Sequence, residues 1–429
     1  VCSSDLAQAP FTANPRELPG GLVSICLALL AIGVVAFVGG LMTDAATAWR
    51  AFHVNFLYFG LLSQAGLCLA CAFVIIGARW VGPIRHVAEG LAAWVPITFV
   101  LFLFDNFFGR EYIHTNWIHG APFGKEAWLS FGRVFWTDAA ILLVGALLTL
   151  AFLRASFRPT LKVAAENATR AKGMFARWTA GWRGDEAEAA ISARRLGVLA
   201  PVICLVYAFG FSVVVFDQVM ALQPAWFSTI FGWYVLWGGF LSGVAATALI
   251  SVLLRATTPG WKSEITAPRL HDLGKMVFAF SIFWMYLFFA QYLVIWYGNL
   301  PEETQFLQAR LGTQFLQDTW FWASARLDEP YVKLALIAWA ACWIAPFLVL
   351  LGQRPKRTPW ILGSVAAIVL VGFWLERNAL VWPALVPDDG AAWFGPIQLG
   401  IALGFLGGFM LIFLIFSRVF PTLPLPQRS

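Results

Sequence analysis

Val213-Val-Val-Phe-Asp217-Gln-Val-Met-Ala-Leu-Gln-Pro224-Ala-Trp-Phe-Ser-Thr-Ile-Phe-Gly-Trp-Tyr234 is the stretch that decides the fold. An apolar run carries one acid, Asp217, into its last turn. Pro224 then breaks the run, and a second apolar run begins beyond Trp226 and Trp233. A carboxylate inside an apolar segment costs at least about 2.5 kcal/mol in lipid, so it is normally paired, turned toward a cavity, or kept for proton chemistry. The rest of the chain reads as scaffold around that position.

Working outward, the composition is that of an integral membrane protein. Hydrophobic residues make up 60% of the chain, charged residues only 12%, and the mean hydropathy is +0.74. Soluble domains carry about twice that charge. Ten runs are long enough to cross lipid as helices: 22–43, 56–78, 91–108, 134–153, 197–220, 231–254, 275–297, 333–351, 359–378 and 397–417. Open strands cannot cross, because their backbone groups would go unpaired. The expected fold is therefore all-α and polytopic, one integral membrane domain over 22–417 with a short lead-in (1–21) and tail (418–429). The first six residues, Val-Cys-Ser-Ser-Asp-Leu, read as foreign to the coding sequence and are set aside with Cys2, and no signal peptide is expected.

The net charge of +6 is topological. Of the 29 Lys and Arg residues, 21 fall in the two termini, in connections 2–3, 4–5, 6–7 and 8–9 or, as Lys275 does, at the adjoining span edge; only 8 fall toward the other side. Positive charge stays in the cytoplasm, so both termini are expected there, in a bacterial inner membrane, with no role in nucleic-acid binding. The most basic connection, 154–196, has Leu161, Ala164, Ala168, Ala171, Phe175 and Trp178 at helical spacing, with Lys162, Arg170, Lys172 and Arg177 among them. That pattern suits a helix lying on anionic lipid or docking a partner. Connection 7–8, with Gly298-Asn-Leu-Pro-Glu-Glu-Thr304 and Trp320-Phe-Trp322, suits a partner surface or a lid.

Few charges fall within the spans. Asp105, Asp138, Asp217, Glu376 and Arg377 lie on spans 3, 4, 5 and 9, all toward the outer end once the orientation is set. They form one expected depth band of candidates for a proton pathway. The alternative for these carboxylates is an interfacial position, solvated or paired with Arg377 or Arg110, and it fits Asp138 best because that residue lies at a helix start. Glu89, which opens span 3 on the inner side, is a further candidate. His53, His86, His114, His119 and His271 fall in connections or at span edges, so no pair is expected to ligate a haem, and no redox metal is expected in this chain. Cys68-x-x-Cys71 has no second pair and reads as core packing. Gly239 and Gly243 on span 6, and Gly400, Gly404 and Gly408 on span 10, mark close helix contacts. No phosphate-binding glycine loop is present, so an ATP-driven role is not expected.

Three stretches carry a resemblance: Arg85-His-Val-Ala-Glu-Gly-Leu-Ala-Ala-Trp-Val-Pro96, Phe216 to Gly232, and His271-Asp-Leu-Gly-Lys275 continuing through Gln291-Tyr-Leu-Val-Ile-Trp-Tyr-Gly-Asn-Leu-Pro-Glu-Glu-Thr304. Together they resemble the ActF-type membrane subunit of bacterial alternative complex III, in the polysulfide-reductase (NrfD-like) family, over about residues 20–420. The resemblance implies two four-helix bundles, spans 2–5 and 6–9, flanked by spans 1 and 10. It also implies a quinol:cytochrome c oxidoreductase whose iron–sulfur clusters and haem c sit in periplasmic partner subunits, with a terminal oxidase as a further acceptor. Quinol oxidation would lie in a paralogous membrane subunit. This chain would have a structural and proton-conducting role, with Asp217 at the family's acidic position. The alternatives are the membrane anchor of another polysulfide-reductase-type enzyme with a molybdenum partner, or a secondary transporter. The second fits less well, because the charges lie away from the midplane.

Overall fold

The computed structural model describes residues 20–167, 172–258, 261–312, 329–386 and 394–420. Ten helices are long and apolar enough to cross a membrane: Gly20–Thr43, Ala45–Ile75, Ile84–Phe108, Phe131–Pro159, Asp185–Leu222, Phe231–Thr257, Ala267–Gly298, Tyr331–Val349, Pro359–Leu385 and Pro396–Val419. No strand occurs among the described residues. The chain is an all-α, multi-pass membrane protein, and these helices, in chain order, are its spans 1 to 10.

Two four-helix rings share a wall. Span 2 packs on spans 3 and 5, and span 4 closes that ring. Span 6 packs on spans 7 and 9, and span 8 closes the second. The rings meet where span 2 lies against spans 6 and 9, while spans 1 and 10 pair with each other beside span 2. Span 2 is thus the hub: 83% of its apolar stretch is buried, against 11% for span 1. The glycine stripes now have partners. A side chain at Gly243 would meet the Ala65 and Gly66 backbone of span 2 at 3.0 Å, and one at Gly404 would meet the Gly33 Cα of span 1 at 2.5 Å. Without Cβ atoms the backbones close in, which is how helices gain packing energy where lipid offers no hydrophobic contrast.

Span 2 starts at Ala45, not near 56. Arg50, His53 and Asn55 resemble a span edge in sequence, but each is satisfied inside the bundle. Arg50 donates to the Tyr112 carbonyl (3.3 Å), and Asn55 donates to the Ala51 carbonyl (2.8 Å) and accepts from Trp374 Nε1 (3.0 Å).

Connection 4–5 also departs from expectation. Span 4 continues as helix to Asn167, and a short helix, Lys172–Trp178, follows. Leu161 and Phe175 are buried with Leu153, Phe157, Phe416 and Phe420, so this apolar face seals the end of span 10 rather than lying on lipid. Arg158 clamps the turn, gripping Glu188 (2.6 and 2.9 Å) and the Trp178 carbonyl (2.9 Å). Ala168, Arg170 and Ala171, like Trp320-Phe-Trp322 and residues 1–19, lie outside the described residues.

Candidate functional site: a buried carboxylate network

Spans 2 to 5 bring four titratable side chains together at the end of the bundle opposite the basic connections. Asp105, Asp138, Asp217 and His53 are all 0% exposed. His53 Nε2 lies 2.9 Å from the Gln218 carbonyl, and His53 Nδ1 lies 2.7 Å from Asp105 Oδ2. A carbonyl oxygen only accepts, so Nε2 carries a hydrogen. The second hydrogen then belongs to the Nδ1–Asp105 contact, as an imidazolium facing a carboxylate or a neutral ring facing a carboxylic acid. In either form the pair is electrically neutral and holds one exchangeable proton. The Gln218 carbonyl is available because the regular helix of span 5 ends there.

Gln218 continues the chain of contacts. Its Nε2 donates to Asp138 Oδ2 at 2.7 Å, and the Asp138 carboxyl lies within hydrogen-bonding reach of the Asp217 carboxyl. Arg133 grips Asp217 with both arms (2.5 and 2.8 Å), donates to the Trp128 carbonyl, and lies 4.1 Å over the Trp128 ring. One guanidinium therefore faces two adjoining carboxyls. In a low-dielectric interior, charge balance asks for a proton shared between Asp138 and Asp217. Asp105 Oδ1, Asp138 Oδ1 and Gln218 Oε1 are buried without a hydrogen-bond donor among the described residues, so the network keeps acceptor capacity in hand.

A branch runs on into connection 3–4. His114, in connection 3–4, sets Nε2 3.0 Å from Asn106 Oδ1, and Asn106 Nδ2 approaches Asp105 Oδ2 at 3.4 Å. Burial pulls His114 down to about 3, with charge on His53 adding to the effect, so its ring is neutral at physiological pH. The unfolded chain therefore takes up a proton near 6.5 that the folded chain refuses until about 3. Stability from this site is full above pH 6.5 and is lost as pH falls toward 3. A chemical-unfolding series in detergent should show a loss of about one proton's slope across that window, absent in His114→Asn.

Glu376 and Arg377 occupy a separate site in the second ring. Glu376 Oε2 and Arg377 Nη1 are 2.7 Å apart, but as helix neighbours they do not align for a hydrogen bond. Arg377 Nη2 donates to the Val235 carbonyl (2.8 Å). Glu376 lines a cavity of about 50 Å³ with Tyr234, Trp284 and Arg310, room for one or two waters. Asn116 ties the two sites at one level, donating to the Leu222 carbonyl (2.7 Å) at the end of span 5 and the Ala384 carbonyl (2.9 Å) at the end of span 9.

Of the sequence candidates, Asp105, Asp138 and Asp217 are thus joined in one network, and Glu376 with Arg377 stand apart from it. Asp138 is not a solvated helix start, and the partner of Asp217 is neither Arg377 nor Arg110 but Arg133. Glu89 belongs to a third cluster at the basic end. It is fully buried and is held by Arg85 Nε (2.9 Å), Ser156 Oγ (2.7 Å) and His86 Nδ1 (2.7 Å). Cys68 and Cys71 are buried free thiols within reach of Cys204. Among the described residues no group of three or more His, Cys, Asp or Glu is placed to hold a metal ion.

Sequence reading missed His53, Gln218 and Arg133. The signal for His53 was present: apolar residues flank it on both sides, and His53, Gly60 and Gln64 share one helix face. No protein-family model matches the chain, and none of the curated proteins matches it.

Proposed function

We propose that this chain is a membrane subunit of a quinol-oxidising respiratory complex of the alternative complex III type, and that its first helix ring handles protons for that complex. The observation that carries the proton role is the run Asp105–His53–Gln218–Asp138–Asp217–Arg133: three buried carboxyls and an imidazole linked in one series, with a single guanidinium at its Asp217 end. Buried carboxyls in contact with one another and with an imidazole share protons, and a change in a neighbouring charge shifts where those protons sit. The stretches Arg85 to Pro96, Phe216 to Gly232 and His271 to Thr304 support the assignment to the complex. On that reading quinol is oxidised in the paralogous subunit, and the iron–sulfur clusters and haem c lie in periplasmic subunits. The excess of Lys and Arg on one side supports cytoplasmic termini in a bacterial inner membrane.

Asp138 is the residue to change, because Asp217 is committed to Arg133. In the assembled complex, Asp138→Asn keeps the shape and the Gln218 contact but removes the shared proton. Quinol-driven turnover and proton release should both fall by roughly tenfold or more, with subunit composition unchanged. An infrared band from a protonated carboxyl, present in the wild type, should disappear. Wild-type turnover and proton release in Asp138→Asn would exclude the proton role.

A further inference from the structure

At the basic end of the second ring, connection 8–9 folds onto the start of span 7. Its short helix, Gln353–Arg357, packs so closely there that a side chain at Gly274 would meet Lys356 Cβ at 2.8 Å. The Lys356 ammonium lies 4.5 Å over the Phe278 ring of span 7 and donates to the Leu351 carbonyl (3.4 Å). From Phe278 a ladder of rings continues along span 8: Phe347 at 5.7 Å, then Trp343 at 6.0 Å, then Trp339 at 4.8 Å. All four rings are partly exposed, and from Phe347 to Trp339 the ladder covers about 12 Å of helix.

Lys356 is the group that packing alone leaves unexplained. It is 7% exposed, and no carboxylate pairs with it among the described residues. A lysine at a helix end normally extends its ammonium into water; this one folds back over a ring at the edge of the bundle. Lys275 and Arg357 gather at the same corner, where both they and Lys356 act electrostatically on His271. The acid in that group, Asp272, is taken by Lys275 at 2.6 Å, and residues 350–358 contain no acid. Burial, and then the neighbouring Lys275, pull Lys356 below the usual lysine value, as expected for a cation short of negative charge. The bias of Lys and Arg toward one side of the membrane accounts for basic residues at this end. It does not account for a covered ammonium without a counter-charge.

We propose that this corner binds an anionic phospholipid, its phosphate among Lys356, Lys275 and Arg357 and one acyl chain along the Phe278–Phe347–Trp343–Trp339 seam. The phosphodiester supplies the missing negative charge. Its oxygens accept from the ammonium hydrogens that the Leu351 carbonyl leaves over. Lys and Arg clustered beside a span recognise acidic head groups in this way, and the rings give the chain an apolar wall directly below the head group. A zwitterionic lipid carries its own cation into the cluster and gains less.

The test uses the purified, delipidated full chain in mixed micelles, titrated with phosphatidylglycerol or phosphatidylcholine carrying brominated acyl chains. Brominated phosphatidylglycerol should quench tryptophan fluorescence at lower concentration, and Trp339→Phe/Trp343→Phe should remove most of that excess quenching. Lys356→Met should shift the midpoint about fivefold, and Lys356→Met/Arg357→Gln about 25-fold, with phosphatidylcholine quenching unchanged. Arg154→Gln, which removes an exposed cation from span 4 of the first ring, should match the wild type. If Lys356→Met is not recovered folded, Arg357→Gln and Lys275→Gln carry the same comparison. Equal quenching by the two lipids, or a wild-type midpoint in the folded Lys356 and Arg357 variants, overturns the site. Loss of a partner subunit from the assembled complex in Lys356→Met, with the midpoint unchanged, would assign the seam to a protein helix and overturn it as well. The lipid site stands or falls independently of the proton role.

Discussion

Arg133→Leu should lower the stability of the purified protein by about 3 kcal/mol at neutral pH, and Asp217→Asn in the same chain should restore most of it. Arg133 supplies two charged hydrogen bonds to Asp217, at 2.5 and 2.8 Å, and so faces the adjoining Asp138–Asp217 carboxyls. Removing the guanidinium leaves two carboxyls in contact inside lipid with no cation among their described partners. That penalty exceeds the worth of the pair itself, which is why breaking a buried ion pair costs more than replacing both of its members. The side chain of Arg133 is 24% exposed while that of Asp217 is 0% exposed, which places the cost at the low end of the usual range. The same asymmetry orders the single variants. Asp217→Asn strands a partly solvated guanidinium that still has the Trp128 carbonyl and ring, so it should cost about 1 kcal/mol, well below Arg133→Leu. Unfolding by titrating dodecyl sulfate into mixed micelles measures all four proteins, and the double-mutant cycle isolates the coupling. An Arg133→Leu protein as stable as the wild type, or a double variant weaker than Arg133→Leu alone, would show that the carboxyls are solvated and the network is not a closed interior.

The number of spans was legible because length and apolarity alone specify a lipid-crossing helix, and no tertiary contact is needed to read either. The convergence of Asp105, Asp138 and Asp217 was legible in part, since alternating helix directions put the ends of spans 3 and 5 and the start of span 4 at one end. What binds them was not. His53 lies 52 residues from Asp105 and 165 from Gln218, and no local pattern encodes a contact across that separation. Polar neighbours at Arg50 and Asn55 made the first turns of span 2 resemble a connection, although a hub helix enclosed on all sides satisfies such groups against other spans. Arg133 was missed by one residue of helix boundary, where sequence patterns are least sharp. The basic connection was misplaced for a different reason. Its apolar stripe specifies that something apolar covers it, and lipid and the Phe416–Phe420 end of span 10 are equivalent in periodicity.

Arg310→Met should release the Pro301–Leu311 helix from the end of span 9 and speed amide exchange there by roughly 100-fold, with little change in the first ring. The arginine is buried and spends its donors on backbone: Nε to the Ala379 carbonyl (2.9 Å), Nη2 to the Leu380 carbonyl (2.9 Å) and Nη1 to the Phe306 carbonyl (2.7 Å). The Ala379 carbonyl is free for this because Pro383, four residues on, has no N–H to give it. The guanidinium also lies 3.7 Å over the Phe306 ring, and Phe306 stacks on Trp226 at 3.9 Å, in the loop that follows Pro224. One side chain thus fastens connection 7–8 to span 9 and, through Phe306, to connection 5–6. Burial pulls Arg310 down to about 9, which still leaves it a cation at neutral pH. Met fills the volume but offers no donor, so two carbonyls at the end of span 9 lose their partner, each costing about 1–3 kcal/mol. Opening of this lid at about 3 kcal/mol less than in the wild type gives the 100-fold change. Hydrogen exchange with peptide readout distinguishes the outcomes. Faster exchange confined to 301–311 and 376–386 supports a clasp. Faster exchange across all ten spans would make Arg310 a determinant of global folding, and unchanged exchange would mean that Phe306 and Trp226 hold the lid without it. Because Glu376 shares its cavity with Arg310, the same variant also exposes that carboxyl to water, so its labelling by a carboxyl-reactive reagent should rise in step with the exchange rate.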